Sequence, residues 1–182
     1  MPNWTLVEGR LADGLPMRLY LAEHNGKLCH ATLQDDEYPV TEDEFQWRIR
    51  ADGKCVRCDG GGSEVLASAA AQVRDYFAGR LFRFDLPLEL SGTPFQVSVW
   101  KQLTEIPFGI TRSYGEIAES IGQPAACRAV GNANGRNKLP VFVPCHRVLA
   151  AGGKLGGFTG GIGLKQRLLA HEARWMQRAS AA

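Results

Sequence analysis

SYGEIAESIGQPAACRAVGNAN, residues 113–134, decides how the second half of this chain is read. Ser113-Tyr114-GEIAESIG reads as a short helix ended by Gly122, and Pro124 opens a second helix through Asn134. Two short helices joined by a glycine-containing turn predict a helix-turn-helix. The second helix is unusual for a sequence reader. Ala125, Ala126, Cys127, Ala129, Val130, Gly131 and Ala133 leave Arg128 as its one large polar side chain near the middle. Reading base edges in the major groove takes several Asn, Gln, Arg or Lys side chains. A nearly smooth helix lets a backbone come close to a partner, and a single arginine can enter a minor groove or a base stack. The alternative is a small-residue helix inside the core, with Arg128 snorkelling outward.

Charge favours a polyanion partner for this half. Residues 1–91 hold ten Lys/Arg and fifteen Asp/Glu, net −5, whereas residues 92–182 hold eleven and four, net +7. A basic half joined to an acidic half points to a polyanion bound on one side only. The 182 residues, 45% hydrophobic and 22% charged, suit one ordinary domain or two small ones. No apolar run approaches the ~20 residues of a membrane span. Five cysteines without framework spacing predict a reducing compartment, with the cytoplasm as the expected location.

Outside residues 113–134, the first half reads as strands followed by one helix. RLYLAEHNGKLCHATL carries apolar runs on both sides of Asn25-Gly26, a hairpin signal. FQWRIRADGKCV alternates Phe45, Trp47 and Ile49 before a turn at Asp52-Gly53, which reads as another strand. Ser63 caps a helix that Gly79 stops, and Pro87 marks a connector. Thr93 and Pro94 open a helix carrying Phe95, Val99, Trp100 and Leu103 at helical spacing. Beyond the helix pair come an extended VFVPCHRV, a glycine-rich loop and a closing helix, LKQRLLAHEARWMQ.

Chemistry concentrates in that last third. Cys145 is either a buried small hydrophobe or a nucleophile. Neighbours along an extended chain point to opposite sides, so His146 serves Cys145 as base only if the chain turns or a water bridges them. Leu164, Leu168, Glu172 and Trp175 share one face of the closing helix. Glu172 therefore either pairs with a buried histidine or lies solvated at the rim. The glycines around Phe158 and Thr159 form neither a P-loop nor a dinucleotide fingerprint; they allow close approach to a planar ligand or form a plain linker. Cys55 and Cys58 make a single CxxC, with Cys29, His24 and His30 as conceivable further ligands. With no second CxxC, a reduced pair is expected and no metal site is assigned.

In order, TPFQVSVWKQLTEIPFG, RSYGEIAESIG, PAACRAVGNANGRN, VPCHRV, GG-FTGG and LLAHE closely resemble the O6-alkylguanine-DNA alkyltransferase (methylated-DNA–protein-cysteine methyltransferase) family. The match covers roughly the last half of the chain, with DYFAG the best match before it. The resemblance implies an α+β fold: a small α/β, RNase H-like N-terminal domain with an antiparallel sheet over 1–91, and a helical domain with a winged helix-turn-helix over 92–182. It implies single-turnover transfer of an alkyl group from a flipped-out O6-alkylguanine, and O4-alkylthymine too, onto Cys145. His146 would act as base through a water, Glu172 would orient it, Tyr114 would protonate guanine N3 and Asn137 would brace the turn. Arg128 would fill the gap left by the nucleotide. Ala126, Ala129, Gly131, Ser113 and Arg147 would contact DNA in the minor groove, largely regardless of sequence. Cys145 and Val148 carbonyls and the Thr159 N–H would hold the base, beside Phe158 and Gly160. No cofactor is implied, the partner is double-stranded DNA, and the protein is expected to be a monomer. Phe158 stands where the family usually has tyrosine, so a lid hydroxyl is lost while the aromatic surface remains. The alternatives are a damage sensor that binds without chemistry and a cysteine hydrolase using Cys145, His146 and Glu172.

Overall fold

The computed structural model describes residues 2–35, 37, 39–49, 56–58 and 63–181. They divide into two compact units, Met1–Glu89 and Leu90–Ala182.

The first unit is a sheet with helices. β1 (Asn3–Arg10), β2 (Pro16–His24) and β3 (Lys27–Gln34) form an antiparallel meander, and β4 (Val56–Arg57) pairs parallel to β1, giving the order β3-β2-β1-β4. The turn between β2 and β3 falls at Asn25-Gly26, with φ of 52° and 73°. Two successive positive φ values are what a two-residue hairpin turn matching strand twist requires. α2 (Glu64–Phe77) starts at Ser63, whose hydroxyl accepts from the Leu66 N–H, and buries Leu66, Ala69, Val73 and Tyr76.

Residues 42–49, read as a strand from their alternation, form α1 (Glu42–Ile49) instead. Phe45 and Ile49 are four apart, so strand and helix both put them on one face. Trp47 separates the two readings: it is 75% exposed, on the side away from buried Phe45 and Ile49. Thr41 and three acidic residues in the first turn supply the cap and dipole partner that alternation hid. The expected turn at Asp52-Gly53 lies outside the described residues. Phe45 stacks on Tyr20 at 4.9 Å between ring centroids and meets Trp4 edge-on, closing a core with Ala22 and Ile49.

The second unit is mainly helical. α3 (Pro94–Thr104) opens with a capping box between Thr93 and Gln96, and buries Val99, Trp100 and Leu103. β5 (Arg112–Ser113) leads directly into α4 (Tyr114–Ser120), and a 3-10 turn at Pro124–Ala126 leads into α5 (Cys127–Gly135). β5 pairs parallel with β6 (Val148–Leu149), Arg112 opposite Val148. That short ladder fixes the start of α4, and so Tyr114, beside the segment that follows Cys145. α6 (Gly161–Ser180) closes the unit, burying Leu164, Lys165, Leu168, His171 and Glu172.

Candidate active site

The expected extended run through VFVPCHRV breaks at Pro144. With φ −79° and ψ 63°, Pro144 occupies the centre of an inverse γ-turn, and the Cys145 N–H donates to the Val143 carbonyl at 2.7 Å. Cys145–Arg147 then form one 3-10 turn, closed by the Val148 N–H on the Cys145 carbonyl. Cys145 and His146 therefore sit on a turn rather than on opposite faces of a strand. Upstream, Val141 holds φ at 77°, a conformation β-branched residues rarely adopt.

Asn137 fixes the turn from outside. Its Nδ2 donates to the Val143 carbonyl at 2.8 Å and to Cys145 Sγ at 3.1 Å, while its Oδ1 accepts from the Leu139 N–H. Asn134, also buried, places Nδ2 3.4 Å from the Cys145 carbonyl. Cys145 is 4% exposed. Burial pushes its thiol up to about 11, against the pull of the Asn137 hydrogen bond and the Lys165 charge.

His146 and Glu172 meet at the centre of this unit. Both are 0% exposed, so Glu172 lies inside rather than at the rim. His146 Nε2 lies 2.8 Å from Glu172 Oε1. Glu172 carries the largest set of partners in the site. Arg147 approaches as a fork, Nε 3.0 Å from Oε2 and Nη2 2.9 Å from Oε1, and the Gly109 N–H donates to Oε2 at 2.9 Å. Burial acts to raise the Glu172 carboxyl, but His146 and Arg147 more than offset it, holding it well below its ordinary value. Glu172 is thus ionised, Nε2–H is the donor, and the proton-free nitrogen of a neutral imidazole is Nδ1. Nδ1 is buried and has no hydrogen-bond partner among the described residues. Burial lowers the His146 pKa, which keeps the ring neutral. A neutral imidazole with a free Nδ1, one residue from a thiol, can accept a proton.

Two further residues face the turn. Tyr114 is half-buried, and burial, with Cys145 next, raises its phenol pKa. Gly156 closes on it: a Cβ there would stand 2.5 Å from the Tyr114 hydroxyl. Lys165 is missing from the residues singled out in the sequence. It is 0% exposed, its Nζ donates to the Val148 carbonyl at 2.6 Å, and burial lowers its pKa while Cys145 raises it. The signal was there: seven residues before Glu172, Lys165 falls on the same helix face.

The remaining expected residues are placed less uniformly. Arg128 and Ala129 are exposed on α5, with Ala126 and Gly131 half-buried beside them. The Ser113 hydroxyl caps α4, accepting from the Glu116 N–H at 3.1 Å. Phe158 and Gly160 are half-buried and Thr159 exposed, its hydroxyl donating to the Gly135 carbonyl at 3.1 Å. Arg147 departs from the expectation of a DNA contact. It is 6% exposed and its guanidinium is committed to Glu172 and, at 2.6 Å, the Ile106 carbonyl, so it faces inward. Cys58 is a free thiol, and Cys55 lies outside the described residues. No group of three potential metal ligands occurs among the described residues.

Comparison with known proteins meets the same segments. Residues 94–174 match the family model of the 6-O-methylguanine DNA methyltransferase DNA-binding domain. A methylated-DNA–protein-cysteine methyltransferase of Mycolicibacterium paratuberculosis is 57% identical over 169 residues, 93% of this chain and 94% of the relative. The constitutive enzyme of that name from Bacillus subtilis is 54% identical over 95 residues, 52% of this chain and 58% of the relative. Among solved structures, Mycobacterium tuberculosis OGT in complex with DNA superposes with a TM-score of 0.76 at 40% identity, covering 95% of this chain and 94% of that one. The O6-methylguanine-DNA methyltransferase of Pyrococcus kodakaraensis shares the α+β fold, with a TM-score of 0.68 at 24% identity over 93% of this chain and 98% of that one. Likeness of this extent reaches past the basic half into the N-terminal sheet, where the sequence motifs thin out, and the chain belongs to the methylated-DNA–protein-cysteine methyltransferase family.

Proposed function

We propose that this protein repairs DNA by taking the alkyl group of O6-alkylguanine, and of O4-alkylthymine, onto Cys145, once per molecule. The observation that carries the proposal is the arrangement of His146: Nε2 fixed on ionised Glu172, Nδ1 free, and the thiol held next door by Asn137. A buried thiol pushed up to about 11 is a poor nucleophile until its proton leaves, and His146 Nδ1, through a bridging water, takes it. Lys165, tied to the Val148 carbonyl, then favours the thiolate by its charge.

Transfer is a displacement at carbon. The S–C bond forms as the C–O6 bond breaks, and the electron pair of that bond stays with the guanine. Tyr114 supplies a proton at guanine N3, so the base leaves neutral, and the phenolate is reprotonated from His146. The thiol proton thus ends on the guanine. The thioether is inert, which limits each molecule to one event.

An O6-alkyl group inside a duplex is beyond reach of a buried sulfur, so the nucleotide must leave the stack at a cost of a few kcal/mol. α4 and α5 suit a winged helix-turn-helix whose second helix enters the minor groove. Ala126, Ala129 and Gly131 allow close approach, Ser113 marks the end facing the backbone, and Arg128 fills the vacated place. Carbonyls of Cys145 and Val148, the Thr159 N–H, Phe158 and Gly160 line the base site. The N-terminal unit suits an RNase H-like domain, and the protein acts as a monomer on duplex DNA with little sequence preference, in the cytoplasm.

The test is to incubate the full chain with a duplex containing one O6-methylguanine and map the product peptides. A methyl group on Cys145, with guanine restored, is expected. An unmodified Cys145 in folded protein overturns the proposal.

A further inference from the structure

A buried carboxylate beside a histidine has two possible outcomes. It orients the neutral ring, or it pulls a second proton onto the ring and makes an imidazolium. An imidazolium at position 146 carries hydrogens on both nitrogens and cannot take the proton of Cys145. The base role of His146 therefore requires something to satisfy the charge of Glu172 from another side.

Arg147 occupies that side. It is the next residue on the 3-10 turn, so it leaves the turn in a different direction from His146 and meets the same carboxylate. Its fork spans both oxygens: Nε at 3.2 and 3.0 Å from Oε1 and Oε2, and Nη2 at 2.9 Å from Oε1. The rest of the guanidinium is tied down, with Nη1 donating to the Ile106 carbonyl at 2.6 Å and the cation 5.7 Å from the Phe108 ring centroid. The loop that supplies Ile106 and Phe108 also supplies the Gly109 N–H to Oε2. Glu172 is bracketed by a full positive charge, a backbone donor and one imidazole N–H.

We infer that Arg147 is a positioning residue for alkyl transfer: by neutralising Glu172 it lets the carboxylate orient His146 while leaving the ring uncharged and Nδ1 free. The inference rests on the reading of Cys145 as acceptor. The charged and titratable groups facing His146 are Cys145 and Arg147 from its own turn and Glu172 and Lys165 from α6. Burial lowers the ring's proton affinity most, Glu172 raises it, and Arg147 and Lys165 lower it further. His171, also buried on α6, turns to Trp175, 6.4 Å between centroids. Arg147 contacts Glu172 directly through its fork, and its charge also lowers the proton affinity of His146.

The experiment follows His146 ring nitrogens by NMR against pH in the full chain, alongside the pH profile of methyl transfer from an O6-methylguanine duplex. Four proteins are compared: wild type, R147K, R147M and R147M/E172Q. In R147M the ring should gain its second proton at a pH higher by about one unit or more, the usual reach of a close charge. The acidic limb of the transfer rate should move up with it by the same amount, so that at a fixed pH on that limb transfer falls roughly tenfold, and it recovers as pH rises. R147K, which keeps the charge but loses the fork, should shift both in the same direction by less. R147M/E172Q, with no carboxylate left, should return the ring to neutral. Should R147M fail to fold, R147K and the double variant decide. An unmoved limb in folded R147M or R147K, or a ring still protonated in the double variant, overturns the inference. Wild type that leaves Cys145 unmethylated refutes the acceptor reading instead, which keeps the two failures apart.

Discussion

The two units use charge in opposite ways. In the N-terminal unit the ion pairs are at the surface: Arg18–Glu8 and Arg80–Asp75 join side chains 45–67% exposed. Its buried Glu23 is held by neutral donors, the Asn3 amide and the Gly26 N–H, next to the hairpin turn. Its interior is aromatic and aliphatic, around Trp4, Tyr20 and Phe45. The C-terminal unit instead buries His146, Arg147, Lys165 and Glu172 around the turn that carries Cys145. Burying charges costs several kcal/mol per ion, and replacing such a cluster by apolar side chains is often neutral or stabilising. A cluster of this kind is explained by what it does to the thiol and imidazole, not by what it adds to stability. The acidic half can therefore lose a charge pair cheaply, and the basic half cannot.

The largest effect expected breaks the chemistry alone. Cys145→Ala should remove methyl transfer entirely while duplex binding, measured by fluorescence anisotropy, survives; loss of both would mean that the turn and the DNA-binding helix are not separable. Next comes the buried charge. Glu172→Gln leaves the Arg147 cation without its counter-charge and should cost about 3–5 kcal/mol in urea unfolding. Asn137→Ala removes hydrogen bonds to the Val143 carbonyl, the Leu139 N–H and the sulfur, and should cost about 1–3 kcal/mol. Transfer should slow as well, because the turn that aims Cys145 is no longer held. At the small end, Arg80→Ala in the N-terminal unit should change stability by less than about 1 kcal/mol, as exposed pairs do. A cost for Arg80→Ala equal to that of Glu172→Gln would erase the contrast between the halves.

Acid should act on the C-terminal unit in a defined direction. His146 has its pKa lowered from 6.5 by burial, and Glu172 is held below 4.5 by His146 and Arg147. In both cases the unfolded chain binds protons that the folded one refuses, so their contribution is fully present above the ordinary value and lost as pH falls below it. Stability followed by chemical denaturation should begin to drop near pH 6.5 and fall more steeply below 4.5. Glu172→Gln should flatten the lower part of that fall.

How far the sequence could be read followed the range of the interactions involved. Caps and turns are local, and Ser63, Thr93, Asn25-Gly26 and Gly122 each fell where the residues placed them. Residues 42–49 failed because Phe45 and Ile49 fit both periods, and only the exposure of Trp47, a tertiary fact, separates them. β1 carries little alternation, and its strand character comes from pairing with β2 on one side and β4 on the other. In the site, the neighbourhood of Cys145, His146 and Glu172 could be proposed from a helix face and a motif. The inward turn of Arg147 could not, because it depends on which way a 3-10 turn throws each side chain. Lys165 was legible from its spacing to Glu172, but lysine is so often a solvated surface residue that spacing alone carried little weight.

The most direct measurement is the stoichiometry of the reaction itself. Full-length protein is mixed with a several-fold excess of duplex containing O6-methylguanine, and repaired DNA and intact protein mass are followed to completion. The account predicts one guanine restored per protein molecule, one methyl group gained per protein, and no further repair afterwards. Repair that continues past one equivalent, or guanine restored with no gain in protein mass, would contradict it.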